Sequence, residues 1–543
     1  MTKDLLLAID NGTQSARALL FDPAGALVAG ARVPLDGYAQ PRPGWHEHDA
    51  EGFWEAVCAA CARLWREPGA DRTRIAGVGV TAQRGTLIAV DEEGRPLRPA
   101  ITWLDQRKSP WLPPLPWWWR VAFRAVGVTD TVTYLQREAE VNWLRACEPG
   151  TWERARRFLL VTGWLNYRLT GRYADSVAGQ VGYLPFDFRR LRWAGPLDWK
   201  RSAVALPLDR LPALAPPGAV LGEVTAAAAE ATGIPAGLPV VAAGADKACE
   251  VLGAGCLTPE VACLGFGTTA TINTTRRDYV EATRFVPPYP AAVPGGYSTE
   301  VQIFRGYWMV NWFKQEFGQI EREASAAGGV GAEALFDRLV AQTPPGAMGL
   351  MLQPFWTPGL KDPGPHAKGA MIGFGDVHNR AHVYRAILEG LAYALREGKE
   401  RIERRGGVPI TALRVAGGGA RSDAAMQVTA DVFGLPASRL RVGEASGLGC
   451  AIDVAVGVGL HRDFPAAVAA MTGIGTTFEP RERHRALYDE LYRRVYLRLY
   501  SRLEPLYREI RSITGYPAAA GGEGEAEPTS SSTKVGTTSE AGP

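Results

Sequence analysis

LLLAIDNGTQSARALLFD, residues Leu5 to Asp22, is the stretch on which the fold turns. Leu5 to Ile9 is apolar without alternation, the pattern of a central strand buried on both faces. Asp10 sets a charge where that strand should end, and Asn11-Gly12 supplies a tight turn. Thr13, Gln14 and Ser15 add polar groups to the turn, and Ala18 to Phe21 resumes an apolar strand. A carboxylate beside a small-residue turn with free backbone N–H groups can hold a metal-bound phosphate. The plainer alternative is a hairpin whose Asp10 caps the turn.

The pattern recurs about 255 residues later, where Val261 to Asn273 reads VACLGFGTTATIN. An apolar strand again meets a small-residue turn, here without an Asp, and a second strand follows. Two such hairpins predict two related lobes gripping a nucleotide's phosphates from both sides. A third cluster, Gly417-Gly418-Gly419-Ala420, ends a strand and opens a helix. Helix N-termini favour anions, and glycines admit close approach. Neither GxxxxGK[ST] nor GxGxxG occurs at the first strand.

Composition narrows the function. The chain has 543 residues, 46% apolar and 22% charged, with a net charge of +3. That describes a soluble protein of two or more domains, without a basic footprint for nucleic acid. No apolar run approaches a membrane span, and the first strand leaves no room for a signal peptide, so a cytoplasmic location and no membrane partner are expected. Seven cysteines, an odd number, fit reduced thiols. Cys58 and Cys61 fall on the apolar face of a predicted helix over Glu51 to Arg66, and His46 and His48 read as loop residues. The seven histidines are scattered, so no Ser-His-Asp arrangement is implied.

Three carboxylates, Asp10, Asp105 and Asp246, are expected at strand ends, where open sheets present ligands. Phosphoryl transfer needs positioning, charge neutralisation and one base for the attacking hydroxyl. Three carboxylates can meet those needs, or each can simply cap a strand. Ser109 to Arg120 holds four prolines and four tryptophans, either a loop over a cleft or a hydrophobic contact patch. Val132 to Leu169 reads as mostly helical, His484 to Arg511 as a surface helix, and residues 518–543 as a disordered tail.

A series of short motifs resembles the FGGY carbohydrate kinases. They are Asp10-Asn11-Gly12-Thr13-Gln14-Ser15-x-Arg17, Gln83-Arg84, Trp103-x-Asp105-x-Arg107, Leu169-Thr170-Gly171, Gly244-x-Asp246 and Gly267-Thr268-Thr269. A C-terminal signature follows, Gly369-x-Met371-x-Gly373-Phe374, then His382-Val383-x-x-Ala386-Ile387-Leu388-Glu389, and last Gly417 to Ser422 with Gln427 and Asp431. The resemblance implies an α/β fold of two actin-like, ribonuclease-H-like lobes, with mixed sheets flanked by helices and a ligand cleft between. Residues 1–255 would form the sugar-binding lobe and 256–515 the nucleotide-binding lobe. ATP and magnesium would be the cofactors, and a small sugar or polyol the partner. A homodimer stays open.

By the same resemblance, Asp10 would meet magnesium, and Gly12, Thr13, Gln14 and Arg17 the terminal phosphates. Thr268 would face the transferring group, and Gly418 and Gly419 would cradle the nucleotide. Gln83, Arg84 and Asp105 would grip substrate hydroxyls. Asp246 would bind the attacking hydroxyl and take its proton. The implied reaction is phosphorylation of a terminal hydroxyl of a linear polyol or ketose, as in a xylulose kinase. The alternative is an inactive, sugar-responsive regulator of the same fold. Three positions depart from the pattern. Gly85 stands where glycerol kinases carry Glu, which opens space. Lys247 follows the base. Thr357-Pro358-Gly359-Leu360-Lys361 replaces a Gly-Glu-Arg turn.

Overall fold

Two hairpins seed two sheets with one shared plan. A computed structural model describes residues 3–328, 331–359 and 363–516. The expected tail at 518–543, together with Leu360 and Lys361, lies outside the described residues. Leu5–Asn11 is buried throughout and pairs antiparallel with Ser15–Phe21, which pairs antiparallel with Leu27–Pro34. On its other side Leu5–Asn11 runs parallel to Ile75–Ala82, and that strand parallel to Pro239–Val241. Val220–Glu223 closes the six-stranded sheet.

The second sheet repeats this order. Val261–Phe266 pairs antiparallel with Ala270–Arg276, then Tyr297–Ile303, and on its other side parallel with Ala412–Ala416, then Ala437–Leu440. Tyr289–Pro290 and Ile474–Phe478 add the edges of seven strands. Central strands buried on both faces need helices above and below them, which accounts for their unbroken apolar runs.

Two helices of small residues lie between the sheets, Asp246–Gly253 and Ala445–Gly457. They cross at glycines. A Cβ on Gly253 would sit 2.0 Å from the Ala445 carbonyl oxygen, and one on Gly449 1.9 Å from that of Cys249. Any side chain there would drive the helices apart. Leu448, Cys450 and Ile452 share a core with Leu6, Ala8 and Phe21, so the late helix packs on the early sheet.

Two local expectations are corrected. Phe158 and Leu159 lie on a strand, Arg157–Leu160, because four-stranded pairing with Leu87–Val90 and its neighbours buries that run. This four-stranded sheet is separate from the first. The segment from His484 is not a simple surface helix. It includes a π-helical turn, Tyr492–Tyr496, and Tyr488, Tyr492 and Tyr496 are buried against Tyr393. The helix over residues 51–66 is observed as Ala50–Leu64, with Cys61 buried and both thiols free.

Candidate active site

Parallel pairing gathers the early motifs at one end of the first sheet. Asp10 is opposite Thr81 in the register, and the Gln83 N–H donates to the Asn11 carbonyl at 3.0 Å. Ala82 bridges in parallel to Ala245. The turn after Asp10, the Gln83-Arg84 pair and Asp246 thus leave three neighbouring strands side by side. Two of the carboxylates are not where expected. Asp10 lies inside the strand, which continues to Asn11, and Asp246 is the first residue of the helix Asp246–Gly253. A carboxylate in the first turn of a helix is favoured by the unpaired N–H groups there.

Asp10 is 4% exposed. Burial pushes its carboxyl up to about 7, and the carboxylates of Asp246 and Glu444 add to this while Arg17 opposes it. Arg17 Nη1 donates to Asp10 Oδ2 at 3.1 Å and to Glu444 Oε2 at 2.9 Å. Burial also raises the Asp246 carboxyl, with Arg84 and Lys247 opposing. Its Oδ1 accepts the Lys247 N–H at 2.7 Å, and Oδ2 stands outside that bond.

Lys247 is tied to a carboxylate on its own helix. Its Nζ donates to Glu250 Oε1 at 2.8 Å, and a Cβ on Gly265 would meet that Nζ at 2.8 Å. The lysine therefore packs from the helix onto the second hairpin, beside the Gly267-Thr268 turn.

Arg84 is held by the opposite sheet. Its two terminal nitrogens donate to the two carboxylate oxygens of Glu300 at 3.3 and 3.1 Å. Its guanidinium lies 5.0 Å from the centre of the Tyr289 ring. Next to it Gln83 is 3% exposed, and both its amide nitrogen and its amide oxygen lack a partner among the described residues. An orphaned buried amide is costly and marks a place for a polar ligand or water.

Asp105 is already saturated. Oδ1 accepts from Arg107 N and Nε at 2.8 and 2.7 Å, and Oδ2 from His46 N and Arg107 Nη2, both at 2.7 Å. Arg107 also donates to Glu47 and stacks 3.9 Å from the centre of the Trp45 ring. Trp103 ties this turn to the first hairpin, its indole N–H donating to Thr13 Oγ1 at 3.2 Å. Gly85 has φ +64°, and a Cβ there would touch Trp103 Cβ at 3.4 Å. The space beside Gly85 is thus bounded by Trp103 Cβ and the Val181 carbonyl oxygen, and its backbone disfavours any side chain.

The later motifs meet at the matching end of the second sheet. Gly265 is opposite Ala416, which brings the turn Gly267-Thr268-Thr269 beside Gly417 to Gly419. Gly417 has φ +88°, and its Cβ position is 2.9 Å from Phe266 backbone atoms. Gly418 and Thr268 are exposed, and nothing lies within 4 Å of a Cβ on Gly418. Gln14 is exposed at the tip of the first turn.

Sequence reasoning missed Glu300, Tyr289, Glu444 and Glu47. Glu300 sits in a strand without a motif, and 216 residues separate it from Arg84. Glu47 lies between two histidines that read as loop residues, so nothing singled it out.

Residues 5–253 match the N-terminal domain, and residues 262–458 the C-terminal domain, of the FGGY family of carbohydrate kinases. An uncharacterised sugar kinase of Escherichia coli (strain K12) is 29% identical over 498 residues, spanning 90% of this chain and 92% of its own. A glycerol kinase of Dechloromonas aromatica (strain RCB) is 30% identical over 508 residues, spanning 89% and 95%. Among solved structures, the xylulose kinase of Rhodospirillum rubrum superposes with a TM-score of 0.76 at 27% identity, spanning 93% of this chain and 100% of that one. With the doubled sheet and the motifs gathered at its two matching ends, these likenesses establish that the chain belongs to the FGGY family of carbohydrate kinases.

Proposed function

We propose that this protein transfers the terminal phosphoryl group of ATP to a terminal hydroxyl of a linear polyol or open-chain ketose of about four to six carbons. The observation that carries the reading is the half-free Asp246 carboxylate beside Arg84, the unpartnered Gln83 amide and Asp10. Asp246 Oδ2 takes the proton of the attacking hydroxyl, and its raised affinity for protons suits a base working near neutral pH. Arg84 and Gln83 grip neighbouring hydroxyls. Asp105 acts by fixing Arg107 and the turn that carries Trp103, since its oxygens are already taken. Arg17, Gly12, Thr13 and Gln14 hold the terminal phosphates, Thr268 faces the transferring group, and Gly418 and Gly419 cradle the nucleotide. The first half, to about residue 255, binds sugar and the second binds nucleotide.

A magnesium ion fits this donor set. Magnesium takes hard oxygens, usually one or two carboxylates with substrate phosphates. Asp10 keeps Oδ1 outside its bond to Arg17, which leaves a hard oxygen for a cation. Among the described residues no group of three or more His, Cys, Asp or Glu forms a dedicated metal cage. Asp10 would hold the ion, which when bound would supply neutralisation of phosphate charge. The test is an ATP-consumption screen over polyols, ketoses and sugar acids, in which glycerol as the best substrate contradicts the size assignment.

A further inference from the structure

The tryptophan-rich stretch has no part in the site above. It folds as the helix Trp117–Val126, entered from a proline-rich loop and stopped by Gly127. One side of the helix is anchored. Trp119 stacks on Phe123 at 5.5 Å, and Phe123 meets Trp199 edge-on at 5.4 Å. The other side faces water. Trp117 is 70% exposed, Trp118 51% and Val121 58%. Positions 117, 121 and 124 share one helical stripe, with 118 and 125 beside it. Two indoles and a valine on an outward stripe are more apolar surface than a soluble helix normally leaves bare.

The charges on the helix and in the lining of the adjoining groove have one sign. Arg120 and Arg124 are exposed on the helix, and residues 109–129 contain no Asp or Glu. An adjoining groove of about 650 Å³ is lined by Trp111, Trp117 and Trp118 with Arg145 and Arg201. The Arg145 guanidinium covers the Trp111 ring at 4.8 Å.

From this juxtaposition we infer that the helix Trp117–Val126 docks on an anionic lipid surface, its indoles entering the headgroup layer and its arginines pairing with lipid phosphates. Amphipathic helices with Trp on one face and Arg beside it lie in membrane interfaces, and Trp favours that depth. A ten-residue helix is about 15 Å long, and its exposed indoles and valine offer a few hundred Å² outward, still below the about 800 Å² per partner of a stable protein interface. That area argues against a protein partner or a second copy and suffices for shallow insertion. Among the described residues no helix is long and apolar enough to cross a membrane, and lying on the surface needs none. The expectation of no membrane contact, drawn from the absence of a spanning run, does not reach this mode.

Flotation of the intact protein with vesicles tests it. Expected is recovery with phosphatidylglycerol–phosphatidylcholine vesicles, little recovery with phosphatidylcholine alone, and loss of binding as salt is raised. Trp117→Ser with Trp118→Ser should abolish flotation at an unchanged melting temperature, since both side chains are exposed. Arg120→Gln and Arg124→Gln should each weaken anionic-vesicle binding about fivefold. No flotation with anionic vesicles overturns the inference, as does equal flotation of the double tryptophan variant. Vesicle-independent self-association that the same variant removes would also overturn it, by showing that the face binds a second copy.

Discussion

Replacing Glu300 by Gln tests whether the two halves are joined through Arg84. The pair is bidentate, at 3.1 and 3.3 Å, and its side chains are 19% exposed at Arg84 and 4% at Glu300. Removing one partner of a buried ion pair costs about 3–5 kcal/mol, because the other charge is left buried. Gln keeps the shape and one acceptor oxygen, so about 2 kcal/mol is expected, a fall of a few degrees in Tm. Calorimetry and denaturant unfolding of the wild type, Glu300→Gln, Arg84→Met and the double variant close the cycle. The double variant should lose less than the sum of the singles by about 1–2 kcal/mol. In turnover assays Glu300→Gln should raise KM for the sugar more than it lowers kcat if Arg84 grips ground and transition states alike, as proposed. Additive losses, or a Glu300→Gln protein as stable as wild type, would refute the coupling.

Asp10 carries an opposite prediction for stability. Its folded carboxyl titrates near 7, above the unfolded value, so its contribution to stability is present at acid pH and is lost as pH rises through 7. The span of about 3 pH units corresponds to about 4 kcal/mol, so Asp10→Asn should melt higher at pH 8 while losing magnesium-dependent turnover; a lower melting temperature there speaks against the buried charge. For the same reason the magnesium affinity of the resting protein should weaken as pH drops through about 7 and Asp10 protonates, and an apparent magnesium affinity unchanged between about pH 8 and about pH 6 contradicts its metal role. Asp453 is fully buried, and neither of its carboxylate oxygens has a partner. Asp453→Val should stabilise by about 1–4 kcal/mol, and destabilisation in a thermal scan would show that the acid serves the helix crossing. Gly419→Ala should push Tyr307, whose Cδ1 would lie 2.4 Å from the new Cβ, and weaken ATP binding in calorimetric titration without altering sugar binding.

The parts of the fold legible in the sequence are those written locally. Leu5 to Asp22 announces a buried hairpin, and Val261 to Asn273 announces its repeat, because apolar runs and turn residues are short-range signals. The motif series supplied the rest of the architecture, including the positions that the sheets bring to one end. What stayed hidden depends on contacts far apart in the chain. Glu300 and Glu444 become site residues only when the second half lies against Arg84 and Arg17. Phe158 and Leu159 read as helical because their strand is four residues long and takes its pairing from Leu87–Val90. Tyr488, Tyr492 and Tyr496 read as part of a surface helix because a polar segment conceals one buried stripe. Lys247 could equally have faced a substrate until its Nζ was seen on Glu250.

The account rests on Asp246 as the base of a sugar kinase, and ADP release tests that most directly. Wild type and Asp246→Asn should be compared on a panel of pentuloses, tetritols to hexitols, sugar acids and glycerol, with ATP binding measured alongside. Expected is clear turnover by wild type of a linear substrate longer than glycerol, a loss of about a hundredfold or more in Asp246→Asn, and unchanged ATP affinity. No turnover of any panel member by wild type, or equal turnover by Asp246→Asn, would contradict it.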